Sequence, residues 1–317
     1  MTSLLTRTGT VLALVLALLL AGSSPAAAQQ IADTTFTPPI PTPDYAAGAG
    51  PVVLIDEGHH NFHTRTGRFT AFARLAARNG YAVGSHSTRF TLESLAPARV
   101  LVISNAIEAR NESAWRLPVW SAFDSAEVRV VERWVRDGGS LLLIADHMPF
   151  GGAAELLAAA FGVYLSNGFA EDSSGESEFV VRRSSGRLAP HAITDGRNAA
   201  ERVDSVKIFT GQAFRAPASA EPLLMMGERS VVRLPEEAWK FSAATPRVRA
   251  DGLLLGAALR HGRGRVVVYG EAAMLTAQLA GPSRERVGMN APEAAHHARL
   301  VLNTLRWLAA PVSGAPR

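Results

Sequence analysis

Asp124–His147, DSAEVRVVERWVRDGGSLLLIADH, reads as one complete α/β unit. Asp124-Ser125-Ala126-Glu127 has the capping-box pattern, with Asp as the cap. Val128, Val131, Trp134 and Val135 follow on one helical face, and Gly138-Gly139 ends the helix. Ser140–Ala145 is a short apolar run of the kind that forms a strand buried on both faces. Asp146-His147 are the first residues beyond it.

The same alternation extends in both directions. Val52–Asp56 and Arg99–Ser104 read as two further buried strands, and Tyr81–Val83 as a short one ending near His86. Phe69, Phe72, Ala73 and Ala76 recur at helical spacing before the stop at Asn79-Gly80, and Gly152–Phe161 reads as a third helix. Leu253–Leu259 and Val266–Tyr269, joined across His261-Gly262-Arg263-Gly264, predict a hairpin. A last helix is expected from about Pro292 to Ala309, with Pro in its first turn. Residues 163–250 are less regular and predict a β-rich excursion. Strands alternating with helices imply a doubly wound α/β three-layer sandwich around a mostly parallel sheet, flavodoxin-like in type.

The ends read differently. Arg7, the apolar run Val11–Leu20 and Ala26-Ala27-Ala28 before Gln29 have the order of a secretory signal peptide, expected over 1–28. The run is shorter than the roughly 20 apolar residues a membrane span needs, and no later segment reaches that length, so no integral span is expected after cleavage. The mature protein is then periplasmic or secreted. Pro38, Pro39, Pro41, Pro43 and Ala46–Gly50 predict an extended, flexible lead-in over 29–50. A single domain is expected over 51–310 and a short tail over 311–317.

Composition narrows the function. The 317 residues are 47% hydrophobic and 19% charged, as in globular proteins. The absence of Cys excludes disulfides and a Cys nucleophile. The net charge is +4, and the basic residues, nearly all Arg, are scattered rather than clustered, which argues against nucleic acid as a partner.

In open α/β sheets, ligands bind beyond the carboxyl ends of the strands. The residues following the predicted strands are Asp56-Glu57-Gly58-His59-His60, Ser104-Asn105, Asp146-His147 and Gly270-Glu271. Parallel strands place all four groups on one edge. Asp56, His59, Asp146 and His147 are therefore the catalytic candidates for acid–base work, and Glu57, His60, Asn105 and Glu271 the ligand-binding candidates. His59, His60 and His63 are also candidate metal ligands, completed by carboxylates into a mixed N/O site for zinc or another divalent ion. Their spacing is not a metal signature, since His60 stands where the helical zinc motif has Glu. The alternatives are a polar loop that satisfies backbone groups at the sheet edge, and acid–base chemistry without metal. Asp146 has a capping role as its alternative.

Other polar residues read as structural. On the last helix His296 falls on the solvent side and His297 at the margin of the apolar stripe, while Asn290 is expected as a cap. His191 lies in a turn-rich stretch, and His261 in an exposed hairpin turn. Glu171–Glu176 has a calcium-like composition without calcium-loop spacing.

Several stretches resemble a known superfamily. RVVERWVRDGGSLLLIADH is similar to the helix, Gly-Gly turn and strand that lead to the nucleophile elbow of class I glutamine-amidotransferase-like domains, and LESLAPARVLVISN to the segment before it. GRGRVVVYGEAAMLT and NAPEAAHHARLVLNTLRWL resemble the closing strand and helix of its extracytoplasmic branch, which includes gliding-motility transporter auxiliary proteins. The best match is the family called domain of unknown function 4350, over most of residues 51–309 and with gaps in the middle. The resemblance implies an amidotransferase-like fold. It does not carry the family's chemistry, because Asp146 or His147 occupies the elbow and no His-x-Glu pair follows in the expected place.

Three functions fit these observations. The leading one is an exported domain whose sheet edge binds a small polar ligand, a carbohydrate or an envelope component. The others are a hydrolase, metal-assisted or not, built on the Asp and His residues of that edge, and a non-catalytic module docking onto an envelope protein complex.

Overall fold

A computed structural model describes residues 30–40 and 42–311. The expected signal peptide and residues 312–317 of the expected tail lie outside the described residues. No helix among the described residues is long and apolar enough to cross a membrane.

The central sheet contains β1 (Val52–Asp56), β2 (Ala82–His86), β3 (Val100–Ser104), β4 (Ser140–Ile144), β5 (Leu254–His261) and β6 (Gly264–Tyr269). They lie in the order β2-β1-β3-β4-β6-β5. The first five of that order are mutually parallel, and β5 returns antiparallel against β6. This is the flavodoxin-like order, with β6 in the fifth place. Strands 214–215, 164–165 and 221–225 add further antiparallel pairings beyond β5.

Alternation along the buried strands builds two cores. Val100, Val102, Leu142 and Ile144 face one side, with α1 (Thr70–Arg78) and the last helix, α4 (His297–Ala309), packed over them. Leu101, Ile103, Leu141 and Leu143 face the other, beneath α2 (Ser125–Arg136) and α3 (Phe150–Ala159). Side chains that alternate across a strand here feed two apolar layers, so the strands read as unbroken hydrophobic runs.

Local chemistry explains the element ends. Asp124 caps α2, accepting from the N–H groups of Ala126 and Glu127. The hairpin closes with His261 opposite Gly264. A Cβ on Gly264 would lie 2.1 Å from the Val135 carbonyl oxygen, so the turn approaches α2 too closely for any side chain. Two boundaries differ from expectation. Helix α3 starts at Phe150, two residues early, and α4 starts at His297, since residues 292–296 form turns.

The lead-in departs most from its sequence reading. Ile31–Ala32 pairs with strand 277–280, and Phe36, Ile40 and Tyr45 pack against the core. Asp44 forms ion pairs with Arg197 and Arg306. Proline and glycine content read as flexibility, but three apolar side chains and one carboxylate hold the segment down. The β-rich excursion is organised as a three-stranded sheet (169–171, 231–233 and 247–249) and a two-stranded one (179–182 and 205–208).

Candidate functional site

The carboxyl ends of the parallel strands emerge together, as the register requires: Asp56 pairs with His86, Ser104 with Ile144, and Ile144 with Tyr269. The polar residues that follow them separate into two environments.

The first is a closed network around His59. Its Nδ1 lies 2.9 Å from both carboxylate oxygens of Asp56, and its Nε2 lies 3.2 Å from Glu127 Oε1. Asn61 donates to Asp56, and the backbone N–H of Phe90 donates to Glu127. The ring is held between Phe90 and Phe123, with centroids 4.5 and 4.8 Å away. Burial by itself lowers the basicity of His59, but the bonds and charges of Asp56 and Glu127 outweigh it and raise the pKa. The expected capping-box partner, Glu127, thus reaches to His59 instead of back to its own cap. Asp56, His59 and Glu127 are all buried, and they tie the β1 loop to α2. An imidazolium bonded at both nitrogens to carboxylates has no lone pair left for a metal or a substrate proton.

The second environment is a cleft of about 880 Å³ lined by residues from several of these loops. Asp146 and His147 form its polar floor. The loop that carries them is clamped: Asn105 Oδ1 accepts from Asp146 N, and Gln212 Nε2 donates to the carbonyls of Ala145 and Asp146, each at 2.9 Å. Asn105 adopts a left-handed φ of 47°, a conformation Asn tolerates better than most residues. His147 Nδ1 lies 2.7 Å from the Met148 carbonyl and so carries a proton; in the neutral ring Nε2 then holds the lone pair. The ring stacks on Phe169 at 4.6 Å and meets Trp239 edge to face at 4.7 Å, with Trp115 at 6.1 Å.

Glu271 lies buried behind this floor and accepts from Met274 N. Burial, and then the charge of Asp146, push its pKa well above the usual carboxyl range. Asp146 is raised as well, by burial, against the opposing pull of His147, Asn105 and the Ala272 N–H. Two carboxyls that disfavour each other's ionisation hold one proton more readily than two separate ones.

His63 also lines the cleft. Its Nδ1 meets Ser104 Oγ at 3.0 Å, and its ring stacks on Phe69. Burial, helped by the charge of Arg68, pushes its pKa down to about 3, so it is neutral.

The sequence candidates are therefore divided. Asn105, Asp146, His147 and His63 line the cleft, with Glu271 behind them. Asp56 and His59 belong to the buried strut. Glu57 turns back to accept from Arg65 N at 2.6 Å, and His60 is half exposed beside Glu112. The metal reading of His59, His60 and His63 is corrected, because the three rings enter three different surroundings. Among the described residues, no group of three His, Cys, Asp or Glu side chains is arranged to hold a metal ion.

Several cleft residues lacked any sequence signal. Trp115, Trp239 and Thr210 come from irregular segments and Arg68 from the lead into α1, while Gln212, which clamps the floor from behind, comes from the excursion. Three structural readings also change. His297 is fully buried and accepts from Lys207 N, Asn290 donates to Asp33 and Gln278, and His261 is half-buried against Glu132.

No protein-family model matches the chain. No curated protein sequence matches it either. Among solved structures, it is similar to the mmIFT52 N-terminal domain, with a TM-score of 0.56 at 12% identity over 84% of this chain and 99% of that one. It is also similar to the cytoplasmic protein STM3548 from Salmonella typhimurium (TM-score 0.46, 13% identity, 81% of this chain and 98% of that one). A ThuA-like protein from Bacteroides uniformis gives a TM-score of 0.46 at 12% identity, over 85% of this chain and 95% of that one. At these identities the likeness speaks to the fold alone.

Proposed function

We propose that this chain is an exported, amidotransferase-like domain, similar to the domain of unknown function 4350 family, whose sheet-edge cleft binds a small polyhydroxylated ligand. A carbohydrate or a fragment of an envelope polymer has the matching chemistry. The observation that carries the reading is the setting of His147. A hydrogen-bonding floor of Asn105, Asp146 and His147 is walled by the rings of Trp115 and Trp239. Aromatic faces pack on the C–H surfaces of sugar rings, while fixed polar groups bind the hydroxyls and set orientation. The cleft volume falls in the usual range for small-molecule sites. Titration of the purified protein with mono- and disaccharides, followed by calorimetry and Trp fluorescence, tests it. Saturable binding, weakened about 3–10-fold in Trp239→Ala, is expected; no binding by any saccharide removes the reading.

One observation favours a catalytic variant of this reading. With Nδ1 held by the Met148 carbonyl, the His147 Nε2 lone pair is available to take a proton from a bound water. Asp146, which lines the cleft and whose pKa burial raises, supplies a matching acid. Aryl glycoside and ester hydrolysis by the wild type, abolished in His147→Gln, supports catalysis; equal rates in both leave a binding protein.

A further inference from the structure

Arg68 lines the cleft, and the reading above leaves its charge unused. Its guanidinium lies over the Phe62 ring, 3.9 Å from the centroid, and is only partly exposed. Nη1 makes a single long bond, 3.4 Å, to the Phe62 carbonyl. Nε is buried with no partner. Among the described residues no carboxylate neutralises it, and burial alone lowers its pKa. Other partly buried arginines are satisfied differently. Arg99 donates through Nε and Nη2 to backbone carbonyls, and Arg306 is paired with Asp44 and Glu201. A cation withdrawn from water without a partner is costly. A protein keeps such a group where a ligand completes it.

We propose that Arg68 is a specificity residue that holds a carboxylate group of the ligand, so that the cleft takes a hydroxy acid or sugar acid rather than a neutral sugar. The planar guanidinium matches a carboxylate in shape and charge. The charge count favours a monoanion over a phosphate dianion. Asp146 shares the cleft, and Glu178 at its rim is already opposed by Lys207 at 3.5 Å. A second negative charge on the ligand would face carboxylates with no cation left to balance it. The inference rests on the proposed ligand-binding role of the cleft, and it fails separately from the carbohydrate reading.

Arg68→Met keeps the aliphatic stem over Phe62 and removes the charge. The ligand-free variant is expected to melt higher than the wild type, by roughly 2–4 °C for a protein of this size, because an unpaired cation has gone. A lower melting temperature would make Arg68 a structural residue and overturn the proposal. Binding is then compared for glucose with glucuronate and galactose with galacturonate, with acetate, lactate and sulfate added at fixed ionic strength. At least one sugar acid is expected to bind about tenfold tighter than its neutral partner, with the preference lost in Arg68→Met. Equal affinity within each pair, or a preference that survives the substitution, overturns the proposal. If no sugar of either kind binds, the carbohydrate reading falls and the small acids decide. Stabilisation by lactate or acetate that exceeds that by sulfate and depends on Arg68 upholds the carboxylate site. Its absence, or an equal effect of sulfate, removes it.

Discussion

His59 Nδ1 sits 2.9 Å from both oxygens of Asp56, and both side chains are buried. The Asp56–His59 end of the most conspicuous polar motif in the chain is therefore tied into a buried strut, while His63 of the same motif lines the cleft. Removing one partner of a buried ion pair typically costs about 3–5 kcal/mol, because the other charge is stranded. His59→Ala should destabilise the fold by an amount of that order, read by urea unfolding, while ligand affinity of the remaining folded protein is unchanged. Loss of binding without loss of stability would return His59 to the site.

His59 also has a pH signature. Its folded-state pKa is raised, so the stability it contributes is present below pH 6.5 and is lost as pH rises through the folded value. The stability difference between wild type and His59→Ala should therefore shrink toward alkaline pH. A difference that grows there contradicts the assigned charge state.

His63 predicts the opposite slope. Its pKa falls from 6.5 unfolded to about 3 folded, so its contribution is complete above pH 6.5 and is lost as pH falls toward 3. The loss runs at about 1.4 kcal/mol per pH unit while only the unfolded state is protonated. His63→Gln should flatten the acid limb of the stability curve between those values. An unchanged limb would show that His63 titrates normally.

The Asp146–Glu271 pair should act from above. Both folded pKa values are raised, so the fold is favoured at low pH and loses that contribution as pH climbs beyond 3.8 for Asp146 and beyond 4.5 for Glu271. Glu271→Gln keeps an acceptor for Met274 N and removes one ionisation. Relative to the wild type, it should gain stability steadily as pH rises from 4.5. Equal slopes in the two proteins would mean that Glu271 ionises freely.

Trp239 separates binding from folding. It is 54% exposed, with a φ of 68°, a region costly for a residue with a Cβ. Trp239→Gly relieves that backbone while removing the ring beside His147. Stability should change by less than about 1 kcal/mol, and saccharide affinity should fall about 3–10-fold. Full affinity in the variant would take Trp239 out of the site.

The sheet was legible because its strands are buried on both faces. Leu141 to Ile144 must be apolar throughout, and Gly138-Gly139 must stop the helix before them, so pattern and structure coincide. The edge that gathers the polar loops followed from parallel strands alone. The division of that edge did not. Whether His59 turns toward Glu127, 68 positions away, or toward the cleft depends on packing against Phe90 and Phe123, and no local spacing encodes it. Trp115, Trp239 and Arg68 escaped notice for a related reason. They sit in irregular segments, and only tertiary folding brings them to His147 and Asp146. The lead-in misled because proline content records local stiffness, not the apolar contacts of Phe36, Ile40 and Tyr45.

The central claim is that ligand binds over Asp146 and His147 and not at residues 56–60. Backbone amide NMR shifts, followed while the tightest-binding saccharide or sugar acid is added, test it most directly. The largest changes should fall at Asn105, His147, Thr210 and Trp239, with Asp56, His59 and His60 unmoved. Changes centred on residues 56–60, with the cleft residues silent, would contradict it.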